Sequence, residues 1–438
     1  MTETKQDKQF FSVGRVFFLL IVIPLSLVAF LIANGIFKVG DTARERAVTV
    51  LDQKSQEEIK IRAINTADEV ASFLKEREND ILVATILPAT ESAYKTFANQ
   101  KTKGIWVKRD NKILQVEVPL YVELALVDKS GNESIKIRNG EVVPKSKLAN
   151  VSNPANTLYK SEDYFARTIA LNRGEVYVSR VEGWYVSKPE FEKGKRFSGI
   201  VRFATPVFDK SGMSGIVVMA LDARHLSAFT DHIIPTQSER VFEADAATGN
   251  YAYMVDSEGF IISHPNDYHI RGLFPGGRLV PPLTKETADG LIKRGEEVLN
   301  LNLLAFMDPK LPEIAKDAAE GKSGIKSYTF AGHTKFVAYA PIKYFSKNYP
   351  KPAGFGWIGM GVDVEKFNEM AAATSKKIEK EVKSWTTAIV VIIIASMILL
   401  FGIAALLARG ISRSISAEVP EGAAGEIQYD EDEDEEDR

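Results

Sequence analysis

Cysteine is absent from all 438 residues. Its absence excludes disulfides, a thiol nucleophile and a thiolate metal site. Histidine is scarce, with only His225, His232, His264, His269 and His333. His264 and His269 stand five apart with Asp267 between them, a poor spacing for a metal, so they read as loop or solvent residues. No H-E-x-x-H, G-x-S-x-G, P-loop or glycine-rich phosphate fingerprint occurs. No catalytic residue, metal or cofactor is therefore expected, and an extracytoplasmic hydrolase is the weakest reading.

Long apolar runs, by contrast, are present. Trp385–Ala408 extends for 24 residues without a charged side chain. As a helix it would be about 36 Å long, against about 30 Å of bilayer hydrocarbon. Val16–Phe37 is interrupted only by Pro24, Ser26, Asn34 and Gly35. It is longer than a signal-peptide core and lacks a clear A-x-A site, so an uncleaved anchor is preferred over a signal peptide. Lys5, Lys8 and Arg15 precede the first run, and Arg409 and Arg413 follow the second. This pattern predicts a two-pass protein of the cell membrane, with cytoplasmic ends and residues 38–384 outside. Lys376, Lys377, Lys380 and Lys383 flank the opposite side, where long translocated domains escape the charge rule.

The net charge of −3 is unevenly spread. Residues 409–438 hold eleven acidic and three basic side chains, a net of −8, so the other residues carry +5. Asp430–Asp437 is an unbroken carboxylate run that should stay unpacked. It would serve either as a solubilising end or as a dock for a basic partner.

Between the two runs, Asp41 to about Leu87 reads as one long helix. Ile64, Ala67, Val70, Ala71, Leu74 and Ile81 form its stripe, and Pro88 ends it. The stripe would pack on a core or on a second copy of the chain. A further helical piece covers Ala89–Asn99. The period then changes to that of strands at Gly104–Lys108, Lys112–Val118, Glu123–Asp128 and Ser134–Arg138. A short helix around Ser161–Leu171 leads to strands Glu175–Val181, Gly199–Phe208 and Gly215–Asp222. Gly212–Gly215 reads as a turn and Ala223–His232 as a helix. Strands follow at Tyr251–Asp256 and Phe260–Ser263, with a mostly helical Lys285–Gly321. Gly324–Phe330, Lys335–Ile342 and Gly356–Val362 are the last strands before a helix from Asp363 into the second run.

An internal echo organises this stretch. Val127-Asp128-Lys129-Ser130-Gly131 matches Val255-Asp256-Ser257-Glu258-Gly259. Thr205-Pro206-Val207 and Gly215 to Asp222 match Ala340-Pro341-Ile342 and Gly356 to Asp363 in the same order. The two copies are too few, and their period too long, for a solenoid. One α+β fold is used twice.

The chain resembles the double Cache family, the extracytoplasmic sensor domains of bacterial chemoreceptors, sensor kinases and cyclic-dinucleotide enzymes. The likeness is carried by Asp163-Tyr164-Phe165, Gly174 to Ser179, Arg202 to Phe208 and Tyr253 to Phe260, and it covers roughly residues 16–408. It implies two tandem PAS-like modules on a long N-terminal helix, flanked by two transmembrane helices. The implied parts are a cytoplasmic N-terminus (1–15), the first span (16–37), the long helix (38–102), a membrane-distal module (103–235), a membrane-proximal module (236–384), the second span (385–408) and a tail (409–438). Leu407 to Ile415 looks like the start of a HAMP linker, with Ser414 where proline is usual.

In that family the distal module usually holds the ligand, and binding moves a helix leading to the second span. The arginine clamp of amino-acid-binding members is missing, because Glu162 and Tyr164-Phe165 align there. The resemblance implies Tyr164, Tyr177, Ser179, Arg202 and Asp222 as ligand-binding residues. Arg202 can offer a donor fork to an anion, and Asp222 can receive an amine. Their structural alternatives are a solvent-facing Arg202 and an Asp222 that caps the following helix, a role Asp363 would repeat. Tyr251, Tyr253, His264, Tyr328 and Tyr339 could line a proximal pocket or simply pack. Gly183-Trp184-Tyr185 would be a cover for the distal site or a hydrophobic latch.

The function expected is a membrane-anchored small-molecule sensor that signals through a separate partner. The alternative is a membrane-tethered scaffold that reuses the fold without a ligand, and a polar distal interior would favour sensing over it. Expected partners are a small-molecule ligand, a second copy of the chain through the long helix and spans, and a cytoplasmic or membrane signalling protein, with no nucleic acid.

Overall fold

The computed structural model describes residues 20–21, 23–110, 112–330 and 332–418. The N-terminal segment 1–15, part of the first apolar run and the acidic run Asp430–Asp437 lie outside them. The chain divides into two compact units, Asp52–Met370 and a second made of Met1–Leu51 with Ala371–Arg438.

In the second unit, one helix among the described residues is long and apolar enough to cross a membrane, Lys380–Leu407. Ile23–Ile32 is a shorter apolar helical stretch. Ser26 Oγ donates to Met397 Sδ at 3.5 Å, which brings the two stretches together. Leu399 and Leu406 are about two-thirds exposed, as lipid-facing side chains would be.

The larger unit is α+β, with two antiparallel sheets and a separate hairpin. Helix α1 spans Ile23–Ala84, starting earlier than the sequence suggests because no proline lies between the apolar run and Asp41 to break it. Its stripe is buried in the core at Ala67, Val70, Leu74 and Ile81, with Ala63 beside it. Alanine at two of these places lets the backbone approach closely. After α2 (Glu91–Gln100), capped by Thr90, strands β1 (Thr102–Arg109) and β2 (Lys112–Pro119) pair only with each other.

The distal sheet is built from β3 (Tyr121–Asp128), β4 (Glu133–Arg138), β5 (Glu141–Val142), β6 (Tyr177–Gly183), β7 (Gly199–Asp209) and β8 (Gly212–Asp222). Its order is β5-β4-β3-β8-β7-β6. The proximal sheet is built from β9 (Tyr251–Asp256), β10 (Ile261–Ser263), β11 (Gly324–Phe330), β12 (His333–Ile342) and β13 (Gly356–Asp363). Its order, β10-β9-β13-β12-β11, repeats the distal order without β5.

The echo has a physical cause. Asp128 pairs with Gly215, and Asp256 with Gly356. A Cβ on Gly215 would stand 2.1 Å from the Val127 carbonyl oxygen, and on Gly356 2.0 Å from that of Val255. Only glycine fits this approach. Asp128 Oδ1 accepts from the Ser130 and Asn132 amides, and Asp256 Oδ1 from those of Glu258 and Phe260. At the other end of each sheet, Asp222 Oδ1 accepts from the Arg224 amide and Asp363 Oδ1 from the Glu365 amide.

Two expected elements differ. Gly212 already belongs to β8, because Asp209 Oδ1 takes the Ser211 amide and closes the turn one step earlier. Helices α3 (Tyr164–Ile169) and α4 (Lys188–Glu192) are followed by α5, to which only Arg224–Ser227 of the segment 223–232 belongs, since Thr230 Oγ1 turns back onto the Ser227 carbonyl and His232 Nδ1 bonds to that of Phe242. The mostly helical stretch 285–321 is divided into three short pieces, Ala288–Lys293, Leu301–Phe306 and Lys310–Ala319.

Candidate functional site

The inward face of the distal sheet carries charge. Arg202 sits on β7 opposite Ala220, a small residue that leaves room for the guanidinium. Its Nη1 donates to Glu123 Oε2 at 2.6 Å. Its Nε donates to Glu162 Oε1 at 2.6 Å and its Nη2 to Glu162 Oε2 at 3.3 Å. The Tyr164 ring lies 5.0 Å from its Cζ. Arg202, Glu123 and Glu162 are each 3 % exposed or less. Burial alone would lower the Arg202 pKa, but the two carboxylates raise it well above the usual arginine value. Burial likewise pushes Glu123 up, yet Arg202, Lys136 and Arg138 outweigh it and bring Glu123 to about 2.

Arg202 is therefore neither solvent-facing nor free: both edges of its donor fork are taken by carboxylates of this chain. Glu162, which aligns where the resembling family places an arginine, holds Arg202 from above the sheet. Its other contact is the Tyr159 amide, 3.0 Å from Oε2.

The remaining predicted residues surround this core. Tyr164 and Tyr177 are buried with Ala125, Ala204 and Val218 in one cluster, and the Tyr177 hydroxyl donates to Asp163 Oδ1 at 3.0 Å. Ser179 Oγ accepts from the Arg202 amide at 2.8 Å and donates to the Arg180 carbonyl at 2.7 Å, so it holds the irregular pairing of β6 on β7. Asp222 Oδ2 takes both the Nε and Nη2 of Arg224, at 2.8 and 2.6 Å, while its other oxygen caps α5. Tyr164 and Arg202 thus meet, whereas Ser179 and Asp222 serve the backbone and the helix start.

Sequence reasoning missed Glu182. Its Oε2 is buried with no hydrogen-bond partner among the described residues. Burial raises its pKa to about 7, Glu162 adds to the rise, and Arg271 and Arg202 only partly offset it. A buried acceptor without a donor carries a desolvation cost that a ligand N–H or ammonium would relieve. Strict alternation along β6 does not reveal this residue, because the register shifts between Val178 and Val181.

Gly183-Trp184-Tyr185 makes the contacts of the expected latch. Trp184 packs edge-on against Tyr159, ring centroids 5.0 Å apart, in a cluster with Ile200, Ala220 and Leu273. Leu273 N donates to the Gly183 carbonyl at 2.8 Å, and the Tyr185 hydroxyl donates to the Tyr268 carbonyl at 2.9 Å. From the proximal module, Tyr349 donates to the Ser179 carbonyl at 2.7 Å, and Asn348 Nδ2 to that of Val178 at 3.3 Å. Arg180 also pairs with Glu258.

The matching face of the proximal sheet is aromatic. Tyr251, Tyr253, His264 and Tyr328 enclose, with Leu301 and Leu311, a cavity of about 30 Å³, the room of about one water. Tyr339 is not part of its lining; its hydroxyl donates to Asp317 Oδ2 at 3.1 Å. His264 and His269 are buried rather than solvated, with ring centroids 4.9 Å apart. Burial holds His264 well below its ordinary value and His269 at about 4, so both rings are neutral.

A family model for the Cache domain matches residues 43–366. No curated protein matches the sequence. Among solved structures, the chain is similar to a domain assigned to a sensory box/GGDEF family protein of Vibrio parahaemolyticus, at 14% identity over 72% of this chain and 98% of that one, TM-score 0.42. It is similar to the ligand-binding domain of the Pseudomonas aeruginosa amino acid chemoreceptor PctB in complex with L-Arg, at 15% identity over 74% and 93%, TM-score 0.40. The ligand-binding domain of the Pseudomonas fluorescens chemoreceptor CtaA in complex with L-isoleucine matches at 17% identity over 75% and 99%, TM-score 0.38.

Proposed function

The chain belongs to the Cache domain family, and from that premise we propose that it is a membrane-anchored receptor whose distal module takes a small molecule outside the cytoplasm. The observation that carries this reading is the charged interior of the distal sheet, above all the unpartnered Glu182 oxygen beside the Arg202–Glu162 pair. A scaffold would do better with an apolar interior, since replacing buried ion pairs by hydrocarbon is often neutral or stabilising. The ligand class that fits is a small molecule with an N–H or ammonium donor for Glu182. Arg202, already neutralised twice, is a poor anchor for its carboxylate, if it has one.

The molecule is not an enzyme in this reading, and it uses no metal or cofactor. Both apolar runs span the membrane, with residues 38–384 extracytoplasmic. A second copy of the chain pairs with the first along the spans, and the signal passes to a protein touching the Lys380–Leu407 helix or the segments beyond it. The acidic run would attract a basic surface on that protein over about 8 Å at physiological salt.

The scaffold reading keeps one observation in its favour, the saturation of Arg202. A thermal-shift screen of the full chain in nanodiscs against small amines and amino acids, repeated with Glu182→Gln, separates the two. A stabilising compound whose effect is lost in Glu182→Gln is the expected outcome. If no compound shifts the wild type, or if the shift is unchanged in Glu182→Gln, the distal reading fails.

A further inference from the structure

A second cavity lies away from the distal face. Its volume is about 320 Å³, within the range of small-molecule sites, and it is ten times the room beside Tyr253. Strand β1 supplies Trp106, the turns after α5 supply Asp231 and His232, and the loop after β10 supplies Asp267. The Trp106 and His232 rings lie 5.1 Å apart, tilted by 34° to one another, and form an aromatic wall.

The charges around this space do not balance. Arg224, one of its two arginines, gives Nε and Nη2 to Asp222. The other, Arg196, donates Nη1 to the Phe191 and Lys195 carbonyls, and its Nε is 3.8 Å from Glu243. Asp231 and Asp267 have no cationic partner within ion-pair distance among the described residues. Asp231 Oδ1 accepts only from the Ser263 hydroxyl at 3.1 Å, and Asp267 Oδ2 accepts from the Phe197 amide at 2.6 Å. Burial is the first cause that raises both, Asp231 to about 7 and Asp267 to about 6. Of the other titratable neighbours, Glu243 adds to the rise of both, Arg196 partly offsets it at Asp267, and His232 and His264 are held below their ordinary value by burial and supply no positive charge near neutral pH. A cavity of this size that presents two under-compensated carboxylates and an indole face is complementary to a cation with apolar flanks.

We propose that this cavity is a second ligand site, separate from the distal face, that takes a small organic cation, with Asp231 and Asp267 as its anionic partners and Trp106 as its aromatic wall. The cation replaces the counter-charge that the protein does not provide. Because the walls come from the hairpin, the α5 turns and the proximal loop, a bound cation ties those three segments together.

The test is isothermal titration of the full chain in nanodiscs with choline, tetramethylammonium and putrescine, and with 3,3-dimethylbutanol as the neutral counterpart of choline. At least one cation should bind and the neutral alcohol should not. Asp231→Asn and Asp267→Asn should each weaken binding about tenfold or more, as the loss of a charge-assisted contact predicts. Glu182→Gln, on the distal face, should leave the part of the binding that depends on Asp231 and Asp267 unchanged. Circular dichroism verifies that the Asn variants fold. Ala228→Leu, which narrows the cavity and replaces no carboxylate, should abolish binding and covers the case in which they do not. Failure of all three cations to bind the wild type overturns the inference. So does binding that survives Ala228→Leu, or that disappears in Glu182→Gln alone, which would put the cation on the distal face.

Discussion

The two modules share a strand order and a register but not an interior. In the distal sheet the row across β3, β8 and β7 reads Glu123, Ala220, Arg202. In the proximal sheet the same row across β9, β13 and β12 reads Tyr251, Gly361, Val337. A charged face thus corresponds to an aromatic one. What the copies keep is confined to the sheet ends: the aspartates that close turns or cap helices, and the glycines that permit close backbone approach. The architecture is specified by backbone constraints, and the interior side chains are left to diverge. That divergence buries paired charges in one copy and leaves, in the other, a tyrosine-lined space for about one water.

The comparison breaks most visibly at Arg202. Arg202→Ala leaves Glu123 and Glu162 buried without their shared counter-charge and should cost about 3–5 kcal/mol. Val337→Ala, at the matching place, removes two buried methyl groups and should cost about 2 kcal/mol at about 0.8 each. Chemical denaturation of both variants measures the gap. Equal losses would mean that the distal charges are not the distinction between the copies.

A smaller effect is expected at Gly359, where the distal copy has Val218. A Cβ on Gly359 would stand 2.3 Å from the Tyr253 ring, so Gly359→Val should overpack the aromatic face at about 1–3 kcal/mol. Thermal melts would show it. A neutral substitution would mean that the tyrosines can move aside and that the proximal cavity is larger than described.

The smallest effect is a pH dependence. Glu182 has its folded pKa raised from 4.5 to about 7, so its proton is held more tightly in the folded chain. Its contribution to stability is fully present below about 4.5 and is lost as pH rises through about 7. Glu182→Gln should therefore match the wild type at low pH and exceed it increasingly toward neutral pH. Parallel melting curves at all pH values would remove the desolvated carboxyl from the distal side of the comparison.

Much of this fold was legible in the sequence because its rules are local. The Val-Asp-x-x-Gly turns, the Thr/Ala-Pro-hydrophobic triplets and the stripe on α1 each follow from backbone geometry within a few residues. The site was less legible because its parts are distant. Arg202 and Tyr164 stood out by type and position, but Glu123 and Glu162 reach Arg202 across 79 and 40 residues. Glu123 also lies next to a register shift, between Tyr121 and Glu123, and Glu182 lies just past another. Beyond such a shift, simple alternation assigns the wrong face. Asp222 was recognisable as a cap only because Asp363 repeats it, and Tyr339 looked like pocket lining because nothing local revealed Asp317.

The bonds that β6 and its following latch make to the other module bear on how the chain unfolds. Ser179, Val178, Gly183 and Tyr185 are all hydrogen-bonded to residues between 268 and 349, in the half of the sequence that begins a new copy. Releasing the distal sheet alone would strip those partners from carbonyls and from a buried tyrosine hydroxyl. The repeat is therefore visible as two copies in sequence yet is expected to unfold as a single cooperative block, with no cut near residue 235 giving halves that melt independently.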